Sequence, residues 1–397
     1  MHSGFMQMAA VGASEAMNRT HDDATPGEEP LETVIQAFLD SGQKSGNYRD
    51  GLERVLSDWR THLETMRDVT TTDAVDKRAM ASYATHLADR VNAKQNRDSD
   101  VEGITAATAW TYYDYVSAFL SWCVKWDYLS ENPAQKGAAL DELPPRPSYN
   151  SGDQQFWTSE DRRQLLSYAD RRVDDALEEK GLEAIEELRD RALVYVLAYS
   201  GVRGGEVLSD PRDDRRDGLR WADVHLEDGY LTILGKNQTE EQAQLPEQTH
   251  GPLRRLRKAL SPADDTWPVF PTAHAPTLAN GLPEGVERGE DRTWLDCYRH
   301  YSVAPSSLST NGGRSVLKRL CEAADIDVDG GYLKPHGARR GVGELVYRER
   351  GPAAAQRTLR HADPRTTSEM YSHIEAGELA EEVSDVFEAD DIPESYR

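Results

Sequence analysis

Apolar residues return at three- and four-residue spacing through LETVIQAFLDSG, YRDGLERVLSDWRTHLETM and AVDKRAMASYATHLADRV, and each stretch predicts an amphipathic helix. A fourth, ITAATAWTYYDYVSAFLSWCVKWDYL, puts Tyr112, Val116, Phe119, Leu120 and Cys123 on one face, with Thr105 placed to cap it. Its aromatic stripe reads as core rather than as a platform for stacking bases. The pattern lapses in ENPAQKGAALDELPPRPSYNSGDQQ, whose density of Pro, Gly, Asn and Ser predicts a linker. Helical spacing resumes in TSEDRRQLLSYADRR, where Thr158 and Asp161 form a capping-box pattern, and again in EAIEELRDRALVYVLAYSG. After Gly204, DGLRWADVHLEDGYLTILGKNQTEEQAQLPE alternates and carries turn residues, which predicts a small antiparallel sheet. Helices return in GGRSVLKRLCEAADI, HGARRGVGELVYRERG and PAAAQRTLR, whereas Asp264 to Ser309 shows no clear period. The fold class is mainly α with a small antiparallel β-sheet. The boundaries read from these shifts are a disordered leader at 1–30, a helical domain at 31–134, a linker at 135–156, a second domain at 157–373 and an acidic tail at 374–397. Met17 is an alternative start.

A chain of 397 residues can bury a sizeable core without covalent staples. Cys123, Cys297 and Cys321 are odd in number and far apart, which suits a reducing compartment, so cytoplasm is the default location. Cys297, His300 and Cys321 do not match zinc-ligand spacings, and no P-loop or dinucleotide fingerprint occurs, so neither metal nor cofactor is expected. No apolar run approaches the roughly 20 residues of a membrane span.

The formal charge of -24 argues at first against a nucleic-acid partner, because such affinity is largely cationic. That inference assumes ordinary salt. Ten Lys stand against 36 Arg, a bias that resembles proteins of extreme halophiles, and at about 1 M salt the screening length falls to about 3 Å, so that local charge decides. From Tyr301 to His373 eleven basic residues face eight acidic ones, while from Ile374 onward nine acids accompany only Arg397.

Four places in the second half carry the candidate chemistry: SGVRGGEVL with Arg203, LGKNQ with Lys236, HGARR with His336 and Arg339, and LRHADPRTTSEMYSH with His361 and Tyr371. Together they resemble the tyrosine recombinases of the phage-integrase family. Arg203 and Glu206 match that family's G-x-R-x-x-E box, and His336 and Arg339 match its H-x-x-R box. His361, Thr366, Thr367, Tyr371 and His373 match its closing segment. The resemblance implies a helical core-binding (SAM-like) domain followed by a catalytic domain of the DNA breaking-rejoining fold. It also implies a double-stranded DNA partner bearing a specific attachment or crossover site, and a homotetramer on DNA assembled through the C-terminal tail. An accessory DNA-bending protein is a further partner of the kind such systems use; a membrane is not.

The residue types suit that chemistry. Breaking a phosphodiester builds negative charge on the non-bridging oxygens, which the guanidinium forks of Arg203 and Arg339 can meet. A phenol with a pKa near 10 attacks only with help, for which His336 is the candidate. Lys236, in the predicted β-turn, is placed to protonate the leaving 5′ oxygen, and His361 to donate to a phosphoryl oxygen. Storing the bond as a 3′-phosphotyrosine removes any need for ATP. The bland readings are a surface Arg203–Glu206 pair, a solvated turn lysine at 236, a helix-capping His336, a packing His361 and a core Tyr371. Tyr347 and Tyr396 are rival nucleophiles without a histidine at the matching distance upstream. Departures from the family pattern stand out. Arg360 replaces the usual glycine before the last histidine, and the His361-to-Tyr371 spacing is one residue longer than usual. ARRGVGELVYRERG lacks the usual hydrophobic, Thr- or Ser-containing continuation, and TEEQ after Lys236 is less basic than the usual hairpin. A type IB topoisomerase, or a degenerate non-catalytic DNA-binding accessory protein, would share much of this pattern.

Overall fold

The computed structural model describes residues 28–42, 44, 46–95, 102–147, 154–235, 238–286, 288–289 and 292–371. Lys236, His373, nearly all of the leader and the acidic tail lie outside the described residues. The chain divides into two compact units, Met1–Ser148 and Tyr149–Arg397.

The first unit is a helical bundle of α1 (Leu31–Asp40), α2 (Gly46–Arg67), α3 (Lys77–Gln95), α4 (Ala106–Lys125) and the single turn α5 (Gly137–Leu140). Thr105 caps α4 as its position predicts, its hydroxyl accepting from Thr108 N at 3.1 Å. Inside, Phe119 packs edge-on between Phe38 and Trp59, with ring centroids 5.5 and 5.7 Å away. Val116, Phe119, Leu120 and Cys123 are buried as expected, but at the first turn of the stripe Tyr113 enters the core and Tyr112 packs half-buried at its edge. The Tyr113 hydroxyl donates to Ala134 O at 2.8 Å. Ala134, Ala139 and Leu143 join the same core. The stretch read as the start of a linker is therefore packed through about Leu143, since its few apolar side chains complete the bundle despite the surrounding Pro and Gly.

The second unit is built around α7 (Ile185–Ser200), buried on nearly every side and packed by α6 (Ser159–Lys180), α9 (His250–Leu260) and α13 (Pro335–Arg350). Thr158 and Asp161 form the expected capping box at the start of α6. Asp190, fully buried on α7, accepts from Arg189, Arg172 and Arg319 at 2.6, 3.0 and 2.6 Å. A carboxylate so far from water is tolerable only with such partners. Next come the single turn α8 (Gly204–Val207) and a three-stranded antiparallel sheet of β1 (Val224–His225), β2 (Tyr230–Leu234) and β3 (Glu240–Gln244), in the order β1-β2-β3. Leu231 pairs with Val224 on one side and Ala243 on the other. Leu231 and Ile233 point inward, the two-residue period read in the sequence.

The aperiodic stretch from Asp264 to Ser309 contributes two short helices, α10 (Ala275–Asn280) and α11 (Trp294–His300), and places Trp267, Val269, Phe270, Cys297 and Tyr298 in the core. Short pieces anchored by single large side chains leave no period to detect. The unit closes with α12 (Thr310–Ala323), α13, α14 (Pro352–Leu359) and a helical segment at 364–371, here α15.

Candidate active site

The first arginine box begins where α7 ends. Gly201 terminates that helix with a left-handed backbone, φ 65°, and Arg203 then sits at the N-cap of α8. Its backbone N–H donates to Glu206 Oε2 at 2.7 Å and its Nη1 donates to Glu206 Oε1 at 2.6 Å. Glu206 is buried, whereas the Arg203 side chain keeps about a third of its surface. The surface-pair reading of these two residues fails on that burial: the carboxylate is interior and aims the guanidinium.

Arg339 comes from α13 and is 2% exposed. Its Nη1 donates to Gly201 O at 2.6 Å and its Nη2 donates to Leu359 O. One guanidinium thus fastens the end of α7 to the end of α14, joining all three boxes through backbone carbonyls. Burial, followed by the neighbouring Arg203 charge, lowers its pKa to about 9, so it stays protonated at neutral pH.

His336 lies one turn before Arg339, exposed beside a cavity of about 410 Å³ that Gly204, Gly205, Arg314 and Lys334 also line. Partial desolvation and then the charges of Arg340, Arg339 and Arg203 hold its pKa down at about 4, which leaves the imidazole neutral at pH 7 and a weaker base than a free one until an anion offsets the arginines. His361 follows α14, half-buried, with Nδ1 2.9 Å from Thr367 Oγ1. Desolvation, then Arg339 and Arg203, lower its pKa to about 4 as well. The threonine contact occupies one ring nitrogen and leaves Nε2 for another partner.

Tyr371, on α15, is 0% exposed. Its hydroxyl donates to Arg340 O at 3.2 Å, and its ring packs against Tyr347 and Phe156 with centroids 5.3 and 6.2 Å away. A Cβ at Gly343 would overlap the phenol oxygen, so a glycine on α13 makes its berth. Burial raises the phenol pKa well above its ordinary value, against a lowering by Arg339. The hydroxyl is thus beside the arginine boxes but closed off from any DNA phosphate. Tyr347, its rival, is buried in the same small cluster.

Three residues outside the expected set complete the site. Arg360 caps α14 with φ 54° and ψ 45°, the left-handed conformation that explains why glycine suits this position and that costs a side-chain-bearing residue about 1 kcal/mol. Its Nη2 donates to Glu206 Oε2 at 2.6 Å and its Nε to Glu241 Oε2 at 3.2 Å. Nη1 is buried with no acceptor among the described residues. Arg216, from an aperiodic acidic loop, donates to the carbonyls of Gly205, Leu234 and Gly235 at 2.9, 3.0 and 2.8 Å, tying α8 to the base of the β2–β3 turn. Glu241 on β3 is the third: two residues before the buried Ala243 and paired with Ile233, it is a half-buried carboxylate on the inward face of the sheet. The turn residue Lys236 is outside the described residues.

Cys297 and Cys321 are buried free thiols, and Cys321 Sγ accepts from Leu333 N at 3.4 Å, so both serve the core. No described helix is long and apolar enough to cross a membrane.

Comparison with known proteins bears on the fold and the family. No curated protein sequence matches the chain. Among solved structures, XerH site-specific recombinase bound to palindromic difH substrate, in a post-cleavage complex, matches with a TM-score of 0.54 at 15% identity, over 90% of this chain and 97% of that one. The Tn1549 transposon integrase in complex with transposon right end DNA matches with a TM-score of 0.52 at 14% identity, over 89% and 100%. At such identities the likeness shows the fold: a mostly helical chain with a small antiparallel sheet. The sequence profile of the phage integrase family matches residues 158–378, more than half of the chain and all three motif boxes. The chain belongs to the phage integrase family, the tyrosine recombinases.

Proposed function

We propose that the protein is a site-specific DNA recombinase that cleaves and rejoins duplex DNA through a 3′-phosphotyrosyl intermediate at Tyr371, in the integration, excision or resolution of a mobile element. One observation carries the reading. Arg203 and Arg339 are held through Glu206, Gly201 and Leu359, and His336 and His361 lie within reach of both charges, four residues spread over some 160 positions, while a buried phenol waits beside them.

Arg203 receives a non-bridging oxygen of the scissile phosphate, and Arg339, buried and tied to Gly201 O and Leu359 O, offers its remaining N–H groups once α15 has left. The phenol oxygen of Tyr371 attacks phosphorus as the bond to the 5′ oxygen breaks. His336, neutral at pH 7, accepts the phenol proton, and Lys236 delivers one to the departing 5′ oxygen. His361 supports a phosphoryl oxygen through its free nitrogen. Attack by another strand's 5′ hydroxyl reverses the step and completes exchange, with no metal or nucleotide consumed. Since Tyr371 rests with no exposure, α15 must leave its berth before attack. Sheltering the phenol in this way guards against stray nicking.

The domain reading keeps its order, with the helical unit extended through about Leu143: a DNA-binding helical unit, a shorter linker, a catalytic unit and an acidic tail that joins protomers into a tetramer on a specific crossover site. The acidic, lysine-poor composition supports a working medium of molar salt, where charge acts only at contact.

The test uses a nicked duplex carrying the ends of the element that flanks the gene, at high KCl. The wild-type protein forms an adduct that survives SDS and Tyr371→Phe forms none. An equal yield from Tyr371→Phe removes the assigned nucleophile, and relaxation of any supercoiled plasmid without a sequence requirement would make the protein a topoisomerase.

A further inference from the structure

Arg360 and the acidic TEEQ stretch that holds Glu241 are two of the departures from the family pattern, and the structure brings them together. They lie 119 residues apart in the chain, yet Arg360 Nε donates to Glu241 Oε2 at 3.2 Å. The same guanidinium reaches Glu206 Oε2 at 2.6 Å, and Glu206 is the carboxylate that aims Arg203. We propose that Arg360 is a positioning residue that neutralises Glu241 and so keeps the arginine cradle able to take a phosphate. This inference rests on the recombinase reading of the site.

The charges decide it. Arg203, Arg339 and Arg360 set three positive charges against Glu206 and Glu241, which leaves one positive charge in excess. Remove Arg360 and the cluster is neutral, with the Glu241 carboxylate facing the site unpaired. A bound phosphate diester would then meet two acids and two bases, in a partly buried place where charges are weakly screened. The two histidines do not make up the loss, because both are neutral at pH 7.

Local stability gives no reason for an arginine here. The backbone at 360 is left-handed, with φ 54°, and Nη1 is buried with no acceptor among the described residues. Glycine would relieve both defects. The arginine fits instead as the counterpart of an acidic hairpin strand, and side-chain exposures of 10% for Arg360 and 29% for Glu241 leave the pairing partly sheltered from salt.

Two readouts on Arg360→Gly, Arg360→Lys, Glu241→Gln and the double variant Arg360→Gly/Glu241→Gln separate this inference from the reading beneath it. The first is the thermal midpoint in inorganic phosphate minus that in chloride at matched ionic strength. It detects anion binding without any DNA or activity, and Arg203→Ala/Arg339→Ala gives the general salt effect to subtract. The second is the rate of SDS-resistant adduct formation on a nicked target. Arg360→Gly should lose the phosphate-specific gain and slow adduct formation about 10²-fold. The double variant should recover both in large part, and Arg360→Lys, which keeps the charge, should retain more than Arg360→Gly. A merely structural role predicts instead an equal drop of the midpoint in both salts and no rescue by Glu241→Gln. An undiminished phosphate gain in Arg360→Gly, or a double variant no better than the single, overturns the proposal. A wild-type protein with the phosphate gain but no adduct on any target sinks the recombinase reading and leaves the charge pairing standing.

Discussion

Arg339 and Tyr371 are both buried at the same site, but they are held in opposite ways. Arg339 is clamped by two backbone carbonyls from distant segments, Gly201 and Leu359, so it cannot move without opening the junction of α7 and α14. Tyr371 is held by one 3.2 Å hydrogen bond to Arg340 O, by two aromatic neighbours and by the space that Gly343 leaves. On the proposed mechanism, the electrostatic half of the site is built into the scaffold and the nucleophilic half is docked on a short segment. Preorganised charge lowers the barrier only if it stays still, while a nucleophile that must be sheltered until substrate binds has to be released.

The two halves should therefore fail in different ways. The largest effect is expected on the fixed side: Arg203→Lys and Arg339→Lys should each slow adduct formation by about 10²- to 10³-fold, because an ammonium cannot reproduce the two-pronged geometry. Single-turnover cleavage of a nicked duplex measures this, and a loss of less than about threefold would place the guanidiniums outside the chemistry. On the docked side, Gly343→Ala should push the phenol from its berth and destabilise the protein by about 1 to 3 kcal/mol in urea unfolding, as overpacking does. Its adduct rate should hold or rise, the opposite of the arginine variants. A Gly343→Ala protein as stable as wild type would mean that Tyr371 does not rest there. A smaller loss, about 1 kcal/mol, is expected from Gln244→Ala, whose side chain donates to Ser200 O at 2.7 Å and Thr358 O at 3.1 Å and so braces the cradle from β3.

The gentlest probe is pH. The folded-state pKa values of His336 and His361, both near about 4, lie below the ordinary 6.5. Their contribution to stability is full above about 6.5 and is lost as pH falls toward 4, when the fold must accept protons beside the three arginines. Urea midpoints should therefore drop between pH 7 and pH 4.5, and His336→Gln/His361→Gln should flatten that drop. An unchanged slope would place the histidines away from the positive cluster.

Much of this was legible in the chain. The boxes could be read because phosphate chemistry restricts residue type: two guanidiniums, imidazoles and a phenol have few substitutes, and short spacings such as Arg203 to Glu206 are set within one turn. Helices with one wet face announced themselves by period. α7 did so less clearly because it is buried all round, and Asp264 to Ser309 did not because its core contacts come from isolated aromatic residues. The role of Arg216 was hidden, since its three acceptors are backbone carbonyls that no sequence displays. So was the meaning of Arg360, because its partners Glu206 and Glu241 are 154 and 119 residues away. Read alone it looked like a defect in the last box. The resting place of the phenol was invisible for a like reason: Gly343 and the Arg340 carbonyl matter through the shape of α13, not through their identity.

The central claim is that the phenol now shut away at Tyr371 is the group that ends up bonded to DNA. Protease digestion of the trapped protein–DNA adduct, followed by mass spectrometry of the nucleotide-bearing peptide, tests it most directly. The account predicts a 3′-nucleotide ester on Tyr371 alone. The ester on Tyr347 or Tyr396, or recombination by a protein that never carries one, would contradict it.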